Sequence, residues 1–285
     1  MGELLSQWLL TPLQYEFMVK ALGVSVVVAT ACALLSCFMI LKGWALMGDA
    51  VSHSVLPGVV IAYGLGIPLA IGAFVFGMVA VLMIGFIQRQ SRIKEDTAMG
   101  IVFTGFFALG LILLSKTTST VDLNHILFGN LLGIPDGEMW QSLIASAVSI
   151  LLILWLYRDL MVFCFDPIHA RSIGLNTDLI YYLFLALLSA TIVSALQTVG
   201  IVLVISLLIT PGAVAYLWCD RLPRMFIVAV LGAMGASGAG IYLSFYGDMP
   251  TGASIVLLQT LVFAISFLIA PKHGLFAQSR SRQLP

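Results

Sequence analysis

The sequence predicts an all-α fold, a polytopic bundle of about eight to nine transmembrane helices that forms a single domain over residues 1–285. Three observations lead to this prediction: 61% of the 285 residues are hydrophobic, only 9% are charged, and apolar runs recur along the chain. Soluble domains carry about a quarter charged residues. A chain with so few charges and a mean hydropathy of +1.10 is therefore expected in a lipid bilayer.

Nine apolar runs are candidate spans, because about 20 apolar residues cross a bilayer core. Two of the nine could be discontinuous helices, since the run at 51–66 is short and contains glycine and proline, and the run at 199–218 contains Thr-Pro-Gly. Segment 121–134 is too short to span and is expected to be re-entrant or interfacial. The nine runs are 17–41, 51–66, 68–88, 98–115, 140–157, 179–197, 199–218, 224–246 and 252–270.

The lysines and arginines predict the orientation of the chain. If all nine runs span, 11 of the 13 fall on one side, and only Lys20 and Lys116 fall on the other. Cytoplasmic loops of membrane proteins carry the excess of Lys and Arg, so the larger set is expected in the cytoplasm. The C-terminus is then cytoplasmic.

The stretch GDAVSHSVLPG at 48–58 places Asp49 and His53 in an apolar run, four residues apart. If the chain is helical from Lys42, the two residues lie about 10 and about 16 Å into the membrane and share one helix face. Intramembrane ionisable groups are costly and are functional by default. A carboxylate and an imidazole suit a first-row divalent metal such as Mn, Fe or Zn. The pair predicts a metal site, whose other ligands would be carbonyls, water or a second subunit.

Two other interpretations of the pair stay open. Asp49 and His53 could only fix packing, by bonding each other or nearby serines such as Ser52 and Ser54. They could also form a proton relay, a role that Asp and His serve in pumps. His125, in the segment at 121–134, is a weaker metal candidate because a lone interfacial histidine is usually an ordinary side chain.

Three further residues are candidates for the translocation pathway. Gln197 closes an apolar run and could line the pathway or bond a neighbouring helix. Pro211 removes a backbone donor, and together with Gly212 it is expected to break or kink its helix. Carbonyls freed at membrane depth are tolerated only when they are buried in protein or face water, so they are expected to border the pathway.

The cytoplasmic loop at about 158–177 predicts a short surface helix. Asp166 is an N-cap candidate, Pro167 fits the first helical position, and Gly174 is a C-terminal stop. Ala170 and Gly174 are small and four residues apart, so this helix could dock closely on another protein. An ordinary connecting helix fits the same pattern.

Five stretches together resemble the membrane subunit of bacterial ABC importers for manganese, iron or zinc. They are GDAVSHSVLPG, ILFGNLLGI, DPIHARSIGLN, ALQTVGIVLVISLLITPGAVAYL and DMPTGASIVLL. The resemblance implies a permease dimer, cytoplasmic ATP-binding subunits, an external metal-binding protein and a bacterial inner-membrane location. It implies a metal-pathway role for Asp49 and His53, and a coupling-helix role for Asp166, Ala170 and Gly174. SHSVLPG is more similar to manganese and iron members than to zinc members, and His169 departs from the importer loop pattern E-A-A-x-x-x-G.

Two function classes follow, an ATP-driven permease and a proton-coupled secondary metal carrier that uses Asp49 and His53 as a relay. The sequence has no G-x-x-x-x-G-K-[ST] motif, so the chain is not expected to hydrolyse ATP or to act as an enzyme. No second copy of the D-x-x-x-H stretch is found, although secondary carriers usually contain repeats.

We expect no permanently bound cofactor, because the metal is cargo, and no nucleic-acid partner, because the net charge is zero. The transported metal stays open, as does the identity of the second permease chain, an identical or a sister subunit.

Overall fold

The computed structural model describes residues 10–116, 131–270 and 274, and the secondary structure of these residues is helical. A single 3₁₀ turn, Leu131–Gly133, accompanies the α-helices. From residue 16 onward the described α-helices are α1 Glu16–Lys42, α2 Met47–Ser54, α3 Leu56–Leu65, α4 Leu69–Gln90, α5 Glu95–Lys116, α6 Asp136–Trp155, α7 Tyr157–Phe165, α8 Pro167–Ser172, α9 Thr177–Val199, α10 Ile201–Trp218, α11 Leu222–Gly247 and α12 Thr251–Ile269.

Eight helices in the described part of the chain are long and apolar enough to cross a membrane, namely α1, α4, α5, α6, α9, α10, α11 and α12. The run predicted at 51–66 is interrupted, because α2 ends at Ser54 and α3 begins at Leu56. End to end, the residues 47–65 would rise about 28 Å, which is close to the thickness of a bilayer core. The predicted all-α membrane bundle is thereby confirmed. His125 and most of the segment at 121–134 lie outside the described residues.

Of the predicted break or kink at Pro211, the break does not occur. Helix α10 is continuous over Ile201–Trp218, with Pro211 inside it. The Ser36 hydroxyl on α1 donates to the Ile209 carbonyl at 3.2 Å and accepts from the Gly212 N–H at 2.9 Å. A side chain from a neighbouring helix thus bonds the backbone on both sides of the proline, which is a known way for membrane helices to accommodate proline.

Helices α1 and α9 form the centre of the bundle. In each of them 72% of the residues in an apolar stretch of 18 are buried, far more than the 22% in α5 or α6. Helix α1 packs on α6, α7, α9, α10 and α11. Helix α9 is joined to α6 by buried hydroxyl pairs, Ser149 with Thr191 at 2.7 Å and Ser142 with Thr198 at 3.3 Å. Interhelical hydroxyl bonds of this kind hold helices together in lipid, where there is no hydrophobic force between them.

All four cysteines are free. Cys32 and Cys37 are buried in α1. Burial raises the pKa of the Cys164 thiol, which lies outside the long spans on α7, to about 12. The thiol is therefore protonated at neutral pH.

Candidate metal-transport site

Asp49 and His53 lie on α2, the helix that follows a tight turn after α1. Helix α1 ends at Lys42, and Gly43 has a φ of +73°, a left-handed conformation that glycine adopts without steric cost. The chain therefore does not continue as a helix from Lys42, and the depths counted on that condition do not apply. Counted from Met47, where α2 begins, Asp49 is about 3 Å and His53 about 9 Å along the helix axis.

The two side chains meet on one face, as their spacing predicts. The His53 Nε2 atom lies 3.4 Å from the Asp49 Oδ1 atom, and the side chains are 23% and 36% exposed in the single chain. This exposure leaves room for a further ligand beside the pair. Among the described residues no third His, Cys, Asp or Glu joins them. One chain therefore offers two candidate ligands, and a metal would need others.

Two adjacent aromatic rings of helix α5 pack against the imidazole of His53. The ring centroids of Phe103 and Phe107 lie 5.1 and 5.4 Å from that of His53. The serines that could have bonded the pair do not do so. The Ser52 hydroxyl donates to the Gly48 carbonyl of its own helix at 2.7 Å, and the Ser54 hydroxyl has no partner within the described ranges. Packing through these serines therefore does not explain the pair.

The predicted surface helix is present as α8, and its ends follow the expected capping chemistry. The Asp166 carboxylate accepts hydrogen bonds from the N–H groups of Ile168 and His169 at 3.0 and 2.9 Å. Pro167 is the first helical residue. Gly174 has a φ of +87° and ends the helix, with the Leu175 N–H donating to the Ala170 carbonyl at 3.0 Å.

Ala170 faces the chain's own helices, not the surface. Its side chain is fully buried, while the Ile168 side chain is 83% and the Phe165 side chain 64% exposed. Ala170 therefore packs α8 onto the bundle, mainly against α7 and α9, and its side chain is not available for direct docking. The sequence pattern did not single out Ile168 or Phe165. Both residues could have been noticed as bulky apolar side chains in a short cytoplasmic segment around the caps of α8, where solvated side chains are expected.

The structure does not bring the three pathway candidates together at the pair. Gln197 is half-buried on α9, about 12 Å farther along that helix than Ser189. Ser189 lies at the level of α2, because a Cβ built on Gly77 would meet both its hydroxyl and the Val51 and Val55 side chains. Pro211 and Gly212 are buried on α10, and Gly212 faces Ser36.

The chain matches the model of the ABC 3 transport family over residues 14–270. It belongs to the ABC 3 transport family. The resemblance found in the five sequence stretches is thus confirmed. As a member of this family, the chain is a multi-pass membrane subunit of a bacterial ABC transport system and not its ATPase.

Relatives in the ABC 3 transport family cover nearly the whole chain. The manganese transport system membrane protein MntB of Synechocystis sp. is 52% identical over 279 residues, 98% of this chain and 91% of that protein. The chelated iron transport system membrane protein YfeC of Yersinia pestis is 50% identical over 271 residues, 94% of this chain and 92% of that protein. Among solved structures, PsaBC from Streptococcus pneumoniae in complex with Fab matches with a TM-score of 0.84 and 39% identity, over 94% of this chain and 97% of that one.

Proposed function

We propose that this chain is the inner-membrane permease of an ATP-driven importer of Mn²⁺ or Fe²⁺, and that Asp49 and His53 bind the metal in transit. The observation that carries the proposal is the contact of the Asp49 carboxylate with the His53 imidazole at 3.4 Å on a helix of a membrane bundle, with both side chains partly exposed. Relatives about 50% identical are named for manganese and for chelated iron transport. Mixed carboxylate and imidazole ligands suit both metals.

The number of ligands favours a site shared between two permease chains. One chain offers one carboxylate and one imidazole, which is too few to complete a coordination sphere. A second chain, identical or sister, would double the set at the dimer axis, and water would complete an octahedral Mn²⁺ or Fe²⁺ site. A weak, incomplete set in each chain also suits transport, because a pathway must release its ion.

Competition of metals for uptake tests the proposed substrate. In cells that lack other importers, the chain is expressed with its ATPase and external binding protein, and ⁵⁴Mn²⁺ uptake is measured against excess Mn²⁺, Fe²⁺ or Zn²⁺. We expect Mn²⁺ and Fe²⁺ to compete more strongly than Zn²⁺. Stronger competition by Zn²⁺ than by the other two metals would contradict the proposal.

The alternative function, a proton-coupled carrier, rests on the same Asp49 and His53 pair acting as a relay. The two functions differ in their dependence on the ATPase. We expect uptake to stop when a Walker-A lysine of the partner ATPase is replaced by alanine. Uptake that persists in that strain, and that collapses with a protonophore, would favour the carrier.

We propose that α8 is the element that docks on the ATPase, with Ile168 as its apolar anchor. An Ile168→Glu substitution is expected to weaken ATPase attachment by about 30-fold, since loss of a buried apolar anchor costs about 2 kcal/mol at an interface. Ile168→Leu keeps the apolar volume and is expected to bind normally. Co-purification of the ATPase with each tagged permease measures the effect, and equal recovery with both variants would contradict this docking contact.

Gly174 is expected to act through its backbone conformation. A Cβ at this position meets nothing within 4 Å, but the φ of +87° strains any residue with a side chain. Gly174→Ala tests the strain alone and is expected to disturb α8, whereas Gly174→Leu adds bulk as well. If partner docking also requires a small residue here, ATPase recovery will fall further with leucine than with alanine. Wild-type recovery and uptake with both variants would remove Gly174 from the coupling assignment.

A further inference from the structure

The turn between α1 and α2 contacts α7, the helix that leads into α8. Lys42 is the last residue of α1, and its Nζ atom lies 4.0 Å from the ring centroid of Phe163 on α7. The same Nζ atom lies 5.9 Å from the ring centroid of Trp44. A lysine ammonium within about 6 Å of an aromatic ring is attracted by the ring's quadrupole. Phe163 is buried and stands three residues before Asp166, the cap of α8.

The same turn is also bound to the helix that follows α8. Trp44 is only 5% exposed, and its ring centroid lies 5.5 Å from that of Tyr181 and 5.9 Å from that of Phe184. Both partners belong to α9 and are themselves buried. Helix α8 packs mainly on α7 and α9. The turn thus contacts both of the elements on which α8 rests.

Towards the C-terminus, the turn leads directly to the Asp49–His53 pair on α2. Asp49 follows Trp44 by five residues, and α2 begins at Met47 between them. Glu95, at the start of α5, faces the Trp44 side chain. Helix α5 carries Phe103, one of the two rings that hold the His53 imidazole. A displacement of the turn therefore reaches Asp49 along the chain and His53 through α5.

We propose that Lys42, Trp44, Phe163, Tyr181 and Phe184, the turn cluster, form the link that carries movement of α8 to the Asp49–His53 pair. Close-packed side chains transmit displacement, because an interior with few voids is nearly incompressible. Contiguous packed chains of residues are also the physical carriers of coupling between distant sites. In this arrangement Lys42 is a positioning residue, which contacts the rings and not the metal. The inference rests on the proposed function, since it presumes that the pair binds the transported metal.

The contact between Lys42 and Phe163 can be removed without a large change of volume. Lys42→Met keeps the length and the apolar stem but loses the cation, whereas Lys42→Arg keeps a cation that stacks well on aromatic rings. Phe163→Leu removes the ring from the other side of the contact. Lys116→Met makes the same chemical change at the far end of α5, where the side chain is exposed, and serves as the matched control.

The test uses the complete transporter, the permease with its ATPase, in liposomes supplied with the external binding protein and Mn²⁺. Mn²⁺ uptake per ATP hydrolysed is measured beside Mn²⁺ binding by the purified complex and recovery of the ATPase. With Lys42→Met we expect uptake per ATP to fall at least about fivefold, as for other site couplings, with Mn²⁺ binding and ATPase recovery unchanged. Lys42→Arg and Lys116→Met are expected to keep the wild-type ratio.

A double substitution distinguishes this link from a general loss of stability. If Lys42 and Phe163 act through one contact, Lys42→Met combined with Phe163→Leu lowers uptake per ATP no further than the more damaging single change. The link would be overturned if the double variant lowered uptake per ATP by the product of the two single effects. It would also be overturned if both single variants kept the wild-type uptake per ATP. Neither result affects the proposed function. That function fails separately, if the wild-type transporter neither binds nor takes up Mn²⁺.

Discussion

Replacing Asp49 by asparagine is expected to abolish metal uptake and to leave the permease assembled in the membrane. Asparagine has nearly the same volume and can still bond His53, but it lacks the negative charge that binds a divalent cation. Loss of outer-shell partners alone lowers metal affinity by about 10–100-fold, so loss of a ligand is expected to lower uptake by more than about 100-fold. The side chain is 36% exposed, so core packing is not disturbed.

The control for Asp49→Asn is Asp96→Asn, the same change at an exposed carboxylate near the start of α5. Radiometal uptake is measured in whole cells and divided by the amount of permease in the membrane. The control is expected to transport at the wild-type rate. Full uptake by Asp49→Asn at normal abundance would contradict a ligand role and would favour packing as the function of the pair.

His53→Phe separates the ligand role of His53 from its packing role. The phenylalanine ring can occupy the place of the imidazole against Phe103 and Phe107, but it has no nitrogen to bind metal. His53→Ala would be harder to interpret, because the cavity left by a half-buried ring also lowers stability. We expect His53→Phe to be abundant in the membrane and inactive in uptake, like Asp49→Asn.

The second large effect is expected at Gly212, and it concerns stability. A Cβ at this position would lie 2.5 Å from the Ser36 hydroxyl and 2.6 Å from the Ser36 carbonyl oxygen. Because backbone atoms of α1 cannot turn aside as a flexible side chain would, Gly212→Ala must separate α1 from α10 or distort one of them. Overpacking of a core costs about 1–3 kcal/mol, and the hydrogen bond from the Gly212 N–H to Ser36 is expected to be lost as well.

Gly235→Ala is the matched control for Gly212→Ala, since it lies in helix α11 with nothing within 4 Å of the added Cβ. Alanine favours a helix over glycine, so this control is expected to keep or raise the melting temperature. Gly212→Ala is expected to lower the melting temperature of the detergent-solubilised protein and its abundance in cells. Equal melting temperatures for the two variants would contradict the close contact between α1 and α10.

The features that could be predicted from the sequence depend on neighbours in the chain. The caps of α8 follow from Asp166 and Gly174, which bond residues two to four positions away. Asp49 and His53 share a face because a helix brings positions four apart together. The spans could also be predicted from local sequence, because the thickness of the bilayer sets the length of the apolar run that a spanning helix needs.

The features that were missed depend on distant residues. The backbone on both sides of Pro211 is bonded by the hydroxyl of Ser36, about 175 positions earlier in the chain, and no local pattern shows this. Ala170 is small in either role, and only the packing of α8 on α7 and α9 decides that it faces inward. The turn after Lys42 shortens the helical path to Asp49, because residues 43–46 lie outside both helices and a depth counted along one continuous helix does not allow for such a turn.

The most direct test of the central claim is pulsed electron paramagnetic resonance of Mn²⁺ bound to the assembled transporter. A metal held by His53 must show a nitrogen coupling from a directly bound imidazole, and the measurement does not depend on transport. We predict this coupling in the wild-type protein and its absence in His53→Phe, with Asp96→Asn unchanged. The same imidazole coupling in His53→Phe, or bound Mn²⁺ without any nitrogen ligand in the wild type, would contradict the claim that Asp49 and His53 hold the transported ion.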